Sequence, residues 1–333
     1  MLHEFDRGDA PRPPSVDDIR AAARRIAPYL RRTPTIFTGP VRDRRNVGSA
    51  LYLKLECLQV VGSFKPRGAL NKLFSLPDRT SIRGLITASG GNHGLGVAYA
   101  AYVARVPATI YVPTTTPAAK IKKLREWNAR TIVEGDSWDD SNRIALATAR
   151  SEGLTYIHAF ADPMVIAGQG TVGLEVLEDA PETDTLVIAI GGGGLITGTA
   201  IAARALRPDL RIIGVEPEGA PTLYRSLRAG RIVELDRITT AAGTLGARAT
   251  EQLNFDLVRE HVAEVVLVSD DQMREAARWL WFEFGVAAEL SGAAAVAALL
   301  AGRYPAGSGE RVCALVCGAG TDGIRTGADG SQQ

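Results

Sequence analysis

The chain has 333 residues, 46% of them hydrophobic, which is enough to bury one large core or two moderate ones. Its 38 Lys and Arg are balanced by 37 Asp and Glu, so a net charge of +1 excludes the clustered basic surface that a nucleic-acid backbone requires. Three cysteines, Cys57, Cys313 and Cys317, cannot all pair within the chain and show no metal-ligand spacing, which points to a reducing, cytoplasmic setting.

The N-terminus carries no charged-then-apolar signal pattern, and Pro11-Arg12-Pro13-Pro14 reads as a disordered lead-in. Arg42, Arg44 and Arg45 read as a solvated loop. An alternating strand covers residues 51–55, followed closely by Ser63-Phe64-Lys65-Pro66-Arg67-Gly68-Ala69, a lysine among mostly apolar or small neighbours. Short β-rich runs come next at 85–87, 108–112, 131–133, 186–190, 212–215, 265–268 and 312–316. Helical stretches separate most of them, so the chain predicts an open, mainly parallel α/β sheet with helices on both faces. Residues 185–203 are uncharged, but the glycines inside them argue against a membrane span, and no membrane partner is expected.

Two stretches, 85–113 and 186–217, share one order: strand, glycine-containing loop, small-residue helix, strand. They read as one βαβ unit in each of two lobes. Each would offer a helix N-terminus at the carboxyl edge of its sheet, where α/β proteins place ligands. In the second, Gly191, Gly192, Gly193 and Gly194 precede a helix expected over 197–206. Backbone without Cβ atoms turns sharply and brings N–H groups near an anion, which makes this a phosphate cradle. In the first, Ser89-Gly90-Gly91-Asn92-His93-Gly94 supplies hydroxyl, amide and N–H donors suited to a carboxylate, although Ser89 or Asn92 could equally cap the helix that follows. A histidine at a helix start is more often structural than catalytic, and a free Cys such as Cys317 is more often a small buried hydrophobe.

Four motifs resemble, in order and spacing, the fold type II pyridoxal-phosphate enzymes: residues 63–69, Ala88-Ser89-Gly90-Gly91-Asn92-His93, Gly191-Gly192-Gly193-Gly194-Leu195 and Cys317-Gly318-Ala319-Gly320. The likeness is greatest to threonine/serine dehydratases and their serine racemase relatives, and it runs over residues 16–322. It implies a two-lobed fold of open, twisted, mainly parallel sheets, as in the tryptophan synthase β chain. A discontinuous cofactor domain would comprise 1–80 and 160–333, and a small mobile domain, 81–159, would hold the substrate carboxylate. The resemblance makes Lys65 the residue in Schiff-base linkage to pyridoxal 5′-phosphate and, once freed, the base for the α-proton. Gly191 to Gly194 and the Leu195 N–H would hold the phosphate, Asn92 the ring 3′ oxygen, and Phe64 would pack beside the ring. Gly243 and Glu289 would lie near the cofactor. Cys317 would face the pyridine nitrogen, where a neutral thiol limits charge build-up and favours β-elimination. Ser89, Gly90, Gly91, Asn92 and His93 would take the substrate carboxylate.

Departures from the family pattern sharpen the expectation. Gly90 stands where serine racemases carry a second Ser that can protonate the opposite face of the α-carbon, so dehydration is expected over racemisation. The racemase-type metal site is degenerate: Glu216 and the Ala220 carbonyl are in place, but Thr222 replaces a carboxylate, and no divalent metal is expected. Ala242 and Leu290 replace a common Asp and Pro, leaving the pocket shape open. The expected activity is release of ammonia and a 2-oxo acid from L-threonine or L-serine. Alternatives within the family are a phenylserine-type dehydratase, a racemase or a β-replacement synthase. Outside it stand an amino-acid-binding protein and a nicotinamide-dependent oxidoreductase, the latter opposed by Ile196, where a dinucleotide fingerprint needs its third glycine. The chain ends soon after Asp322, so no effector domain for isoleucine feedback is expected. Base rates favour a homodimer or homotetramer.

Overall fold

The structure, a computed structural model, describes residues 12–43 and 50–324. Pro11 of the proline-rich lead-in and Arg44 and Arg45 of the basic cluster lie outside these residues. The rest of the lead-in is docked: Pro14 is buried, and the Arg12 guanidinium donates to Asp18 at 2.8 Å. Helix α1 (Val16–Ile26) begins there, with Ser15 and Asp18 forming a capping box and Ile19, Ala22 and Ile26 buried along one face.

Two sheets carry the molecule. The strands are β1 (Thr35–Phe37), β2 (Ala50–Lys54), β3 (Leu85–Ala88), β4 (Ala108–Val112), β5 (Arg130–Val133), β6 (Thr155–Tyr156), β7 (Thr185–Ala189), β8 (Arg211–Pro217), β9 (Glu264–Val268) and β10 (Arg311–Leu315). A six-stranded sheet runs β1-β2-β10-β7-β8-β9, and a four-stranded sheet runs β5-β4-β3-β6. Only β1 is antiparallel to its neighbour. β3, β4 and β7 are buried at every position, as continuous apolar runs covered by helices on both faces should be.

The remaining helices are α2 (Lys65–Phe74), α3 (Asn92–Ala104), α4 (Ala118–Glu126), α5 (Trp138–Glu152), α6 (Pro163–Asp179), α7 (Gly194–Leu206), α8 (Thr222–Ala229), α9 (Gln252–His261), α10 (Asp270–Phe284) and α11 (Leu290–Leu300). Ser137, Asp162 and Ser269 cap α5, α6 and α10 with side-chain oxygens. By contrast, α3 and α7 start at Gly91 and Gly193 with no side-chain cap. Capping of α3 by Ser89 or Asn92 is therefore not what the loop does; Ser89 Oγ accepts instead from the Gly91 N–H, inside the turn. Both uncapped ends lie at the carboxyl edges of β3 and β7, one from each sheet. α2 packs on both α3 and α6, so its first residue, Lys65, stands where the two halves of the fold meet.

Helix α7 starts three residues before the expected position, because tertiary packing overrides the low helix propensity of glycine. A Cβ on Gly198 would lie 2.3 Å from the Ile166 carbonyl oxygen, so the small residues of α7 are what lets α6 press against it. Among the described residues, no helix is long and apolar enough to cross a membrane.

Candidate active site

A cavity of about 670 Å3 opens between the two sheets. Phe64, Lys65, Ser89 to His93, Gly191 to Leu195, Gly243, Glu289 and Cys317 all line it. Six separate parts of the chain are thereby brought to one place.

The glycine loop is built by exclusion. Gly193 holds φ +99°, a left-handed conformation that a side chain would strain. A Cβ on Gly192 would lie 2.2 Å from the Phe160 ring, and one on Gly194 2.6 Å from the Phe160 carbonyl oxygen. The Gly192 carbonyl is tied inward, accepting from Thr250 Oγ1 at 3.0 Å and Asn254 Nδ2 at 2.9 Å. The first-turn N–H groups of α7, Leu195 included, have no partner inside their helix and stay available to an anion.

Lys65 reaches the same cavity. Its Nζ donates to the Ala159 carbonyl at 2.8 Å and sits 5.1 Å from the centre of the Phe64 ring. Burial of the amine, slightly opposed by Cys317, lowers its pKa from 10.5 to about 8. Gly96 lets α3 approach: a Cβ there would lie 3.0 Å from the Lys65 carbonyl carbon. Cys317 is buried, its Sγ donating to the Ser291 carbonyl at 3.4 Å, and burial keeps the thiol neutral far beyond physiological pH.

On the facing loop, Asn92 Nδ2 donates to Glu289 Oε1 at 2.6 Å, joining the two sheets across the cavity. Thr244 Oγ1 lies 3.0 Å from that carboxylate oxygen and 2.5 Å from Ser291 Oγ. Burial raises the Glu289 pKa, against the hydrogen bonds from Thr244 and Asn92. The His93 side chain departs from its expected part. Its Nε2 lies 3.0 Å from both Thr87 Oγ1 and the Ile157 carbonyl, and burial together with the Lys65 charge pushes its pKa down to about 3. The imidazole is thus neutral, with its Nε2 tied beneath the loop rather than turned to the cavity. Gly90 leaves little room of its own, since a Cβ there would meet Thr116 Cγ2 at 2.8 Å. At Gly243 a Cβ would meet nothing within 4 Å, because that position faces the cavity itself.

Glu216 and Ala220 lie away from the cavity. The fully buried Glu216 carboxylate accepts from the Leu223 and Tyr224 N–H groups at 2.8 Å each, satisfying the start of α8. The Ala220 carbonyl accepts from the Thr222 N–H at 3.0 Å. Both halves of the degenerate metal site thus accept from backbone N–H groups, and among the described residues no group of three or more His, Cys, Asp and Glu is placed to hold a metal ion.

Phe160 and Asn254 shape the site yet carry no motif, because each acts through a contact with a distant segment. Taken together, an N–H cradle with its carbonyl held away, a buried amine of lowered pKa and a neutral thiol fit a phosphate-bearing aldehyde such as pyridoxal phosphate.

Comparison with known proteins agrees. Residues 26–318 match the family model described as pyridoxal-phosphate dependent enzyme. An L-threonine ammonia-lyase of Thermotoga maritima is 39% identical over 86% of this chain and 71% of its own length. A maize serine racemase structure superposes with TM-score 0.88 at 36% identity, covering 92% of this chain and 94% of that one. A structure of the processed form of threonine deaminase isoform 2 from Solanum lycopersicum gives TM-score 0.85 at 34% identity, covering 92% and 86%. With its motifs and geometry in agreement, the chain belongs to the pyridoxal-phosphate dependent enzyme family and has the fold type II architecture.

Proposed function

We propose that the protein is a pyridoxal-phosphate dependent ammonia-lyase that converts L-threonine or L-serine to a 2-oxo acid and ammonia. The observation that carries this reading is the meeting of the Lys65 amine, the glycine cradle and the uncapped start of α3 in one cavity. When bound, pyridoxal phosphate supplies an aldehyde for that amine and a ring that stabilises negative charge at the substrate α-carbon. Lys65 takes the α-proton at Nζ. With a pKa of about 8, about a tenth of the free amine is neutral at pH 7, against roughly one in three thousand for an ordinary lysine. Gly191 to Gly194 and the Leu195 N–H hold the cofactor phosphate, and Phe64, Asn92, Gly243 and Glu289 border the ring.

Ser89, with the backbone of residues 90–93, holds the substrate carboxylate at the N-terminus of α3. Cys317, a neutral thiol, cannot pair with a charged ring nitrogen as a carboxylate would, which favours loss of the β-hydroxyl over return of the proton. Gly90 offers no donor on the second face of the α-carbon. The names of the Thermotoga relative and the threonine deaminase structure support the substrate class.

Residues 81–159, which contain the four-stranded sheet and the carboxylate loop, act in this reading as a small domain that moves against the cofactor domain of 1–80 and 160–333. A homodimer or homotetramer in the cytoplasm completes it, in keeping with three free, buried cysteines. The test is 2-oxo acid release from L-threonine, L-serine and L-threo-phenylserine, each offered separately. Release from either of the first two is expected. Release from phenylserine alone moves the reading to a bulkier substrate, and silence with all three removes the dehydratase. Lys65→Ala should lose both turnover and the visible absorbance of the bound cofactor.

A further inference from the structure

Arg67 lies two residues beyond Lys65 in the first turn of α2, and it is 2% exposed. All five of its N–H donors are used. Nε donates to Glu56 Oε2 at 2.8 Å and Nη2 to Glu56 Oε1 at 2.7 Å, a bidentate pair. Nη1 donates to Glu175 Oε1 at 2.7 Å and Nη2 to Glu175 Oε2 at 2.9 Å, a second one. The remaining Nη1 hydrogen goes to Thr171 Oγ1 at 3.0 Å. Lys54 Nζ closes the cluster, 2.7 Å from Glu175 Oε2 and 2.8 Å from the Thr33 carbonyl, and Thr33 Oγ1 donates to Glu56. Two cations thus meet two carboxylates at hydrogen-bond distance, with a third, Asp179, 3.8 Å from Lys54 Nζ, and Lys54 and Glu56 are fully buried.

The members come from β2 and the turn after it, from α2, from α6 and from the segment before β1. Glu56 opens the stretch that leads to Lys65, and Arg67 follows Lys65, so the cluster grips the chain on both sides of that residue. Local signals set this position only in part: Pro66 in the first turn favours a helix start here, but Phe64 before it makes no side-chain cap. A Cβ on Gly168 would lie 2.5 Å from the Arg67 carbonyl oxygen, and one on Gly68 2.4 Å from Gln169 Nε2, so α6 presses against a smooth, small-residue face. Asn71 Nδ2 to the Met164 carbonyl and Lys72 Nζ to Asp162, each at 2.6 Å, tie the far end of α2 to the start of α6, and the forked, charge-assisted bonds of Arg67 add direction at the end that carries Lys65. Attraction within a buried ion cluster is largely offset by desolvation, so stability alone is a poor account of it. Orientation is a better one: one residue of slip turns an α-helix by about 100°, which would carry Lys65 off the cleft.

We propose that Arg67 is a positioning residue for Lys65: its cluster with Glu56, Glu175 and Lys54 fixes the rotation and height of the first turn of α2, and so holds the Lys65 amine facing the glycine cradle. This rests on the reading of Lys65 as the attachment point.

The experiment uses the holoprotein as wild type, Arg67→Lys and Thr171→Val. Each is reduced with borohydride at saturating pyridoxal phosphate, and the fraction of Lys65 carrying the label is measured by peptide mapping, with kcat and KM for L-threonine and thermal unfolding alongside. Arg67→Lys keeps the charge but loses the fork. A misplacement of about 1 Å can cost on the order of 100-fold, so its labelled fraction and kcat should fall by at least roughly tenfold, with KM changed far less and unfolding still cooperative. Thr171→Val keeps the shape and deletes one bond of the five, and should lower both readouts by roughly two- to threefold. Labelling and kcat equal to wild type in the folded variants, with only the melting temperature lowered, would overturn the inference. If Arg67→Lys does not fold, Thr171→Val decides in the same way. Absence of label at Lys65 in the wild type would instead sink the proposed function.

Discussion

Substituting Gly192→Ala strikes the cradle where it has least room. Gly192 is not in the left-handed region, unlike Gly193, so alanine meets no backbone obstacle and the test is one of space. Its Cβ would lie 2.2, 2.3 and 2.4 Å from three carbons of the Phe160 ring, where ordinary contact begins at 3.4 Å. Ring and loop would have to part by about 1 Å. The ring has little freedom to retreat: its edge meets His158 with centroids 4.8 Å apart, and the Phe160 carbonyl accepts from Asn254 at 3.1 Å. The loop must give instead. Overpacking of this kind costs about 1–3 kcal/mol of stability. A displaced N–H forfeits a charge-assisted hydrogen bond to phosphate, about 1.5–3 kcal/mol, or roughly a 10- to 100-fold weaker Kd for pyridoxal phosphate. Absorbance titration of the cofactor-free protein measures that Kd, and circular dichroism checks the fold. A folded variant whose Kd stays within about threefold of wild type would refute the assignment of Gly192 to a tightly backed phosphate cradle.

Three further outcomes are expected. Because burial lowers the Lys65 pKa from 10.5 to about 8, the folded cofactor-free protein binds fewer protons than the unfolded chain between those values. Its stability should therefore rise with pH through that window, by up to about 3 kcal/mol, and be lost as pH falls through about 8; urea unfolding of wild type and Lys65→Met at pH 7.5 and 10 reads the difference. Glu216 runs the other way: burial raises its pKa from 4.5 to about 8, so its contribution is present below 4.5 and lost as pH rises through about 8. Glu216→Gln, which resembles the neutral acid, should remove that slope in denaturant unfolding, while a chelator leaves wild-type turnover unchanged. Gly90→Ser should lower kcat/KM by roughly tenfold through its contact with Thr116, and adding Thr116→Ala should recover much of that loss; additive effects in the double-mutant cycle would show that the two positions do not touch.

Much of this was legible in the sequence because it rests on local rules. Both βαβ units appear where strand–glycine loop–helix patterns place them, β3-α3-β4 and β7-α7-β8, and their loops face one cavity. The two strands that escaped notice, β1 and β6, have three and two residues, too few for an alternation to register. His93 shows a different limit. Its place at the start of α3 can be read from the chain, but the direction of its imidazole depends on Thr87 and Ile157, the latter 64 residues away. The apolar character of α3 on all sides gives no hint of which way a polar side chain at its start will turn.

The four consecutive glycines show how far a single motif can be resolved into causes. As a string they say only that Cβ atoms are unwelcome. In the structure each is kept free of a side chain for its own reason: Gly193 by its φ, Gly192 by the Phe160 ring, Gly194 by the Phe160 backbone, and Gly191 by the backbone of Thr244 and Leu245, which would approach a Cβ to 3.2 Å. Three of these neighbours also border the cavity, and Asn254, which holds the Gly192 carbonyl, also holds that of Phe160. The cradle is therefore one rigid assembly with its wall. A substitution at any of the four glycines should weaken cofactor binding, but only at Gly192 is the obstacle the Phe160 ring, so only there should trimming Phe160 to alanine relieve the loss.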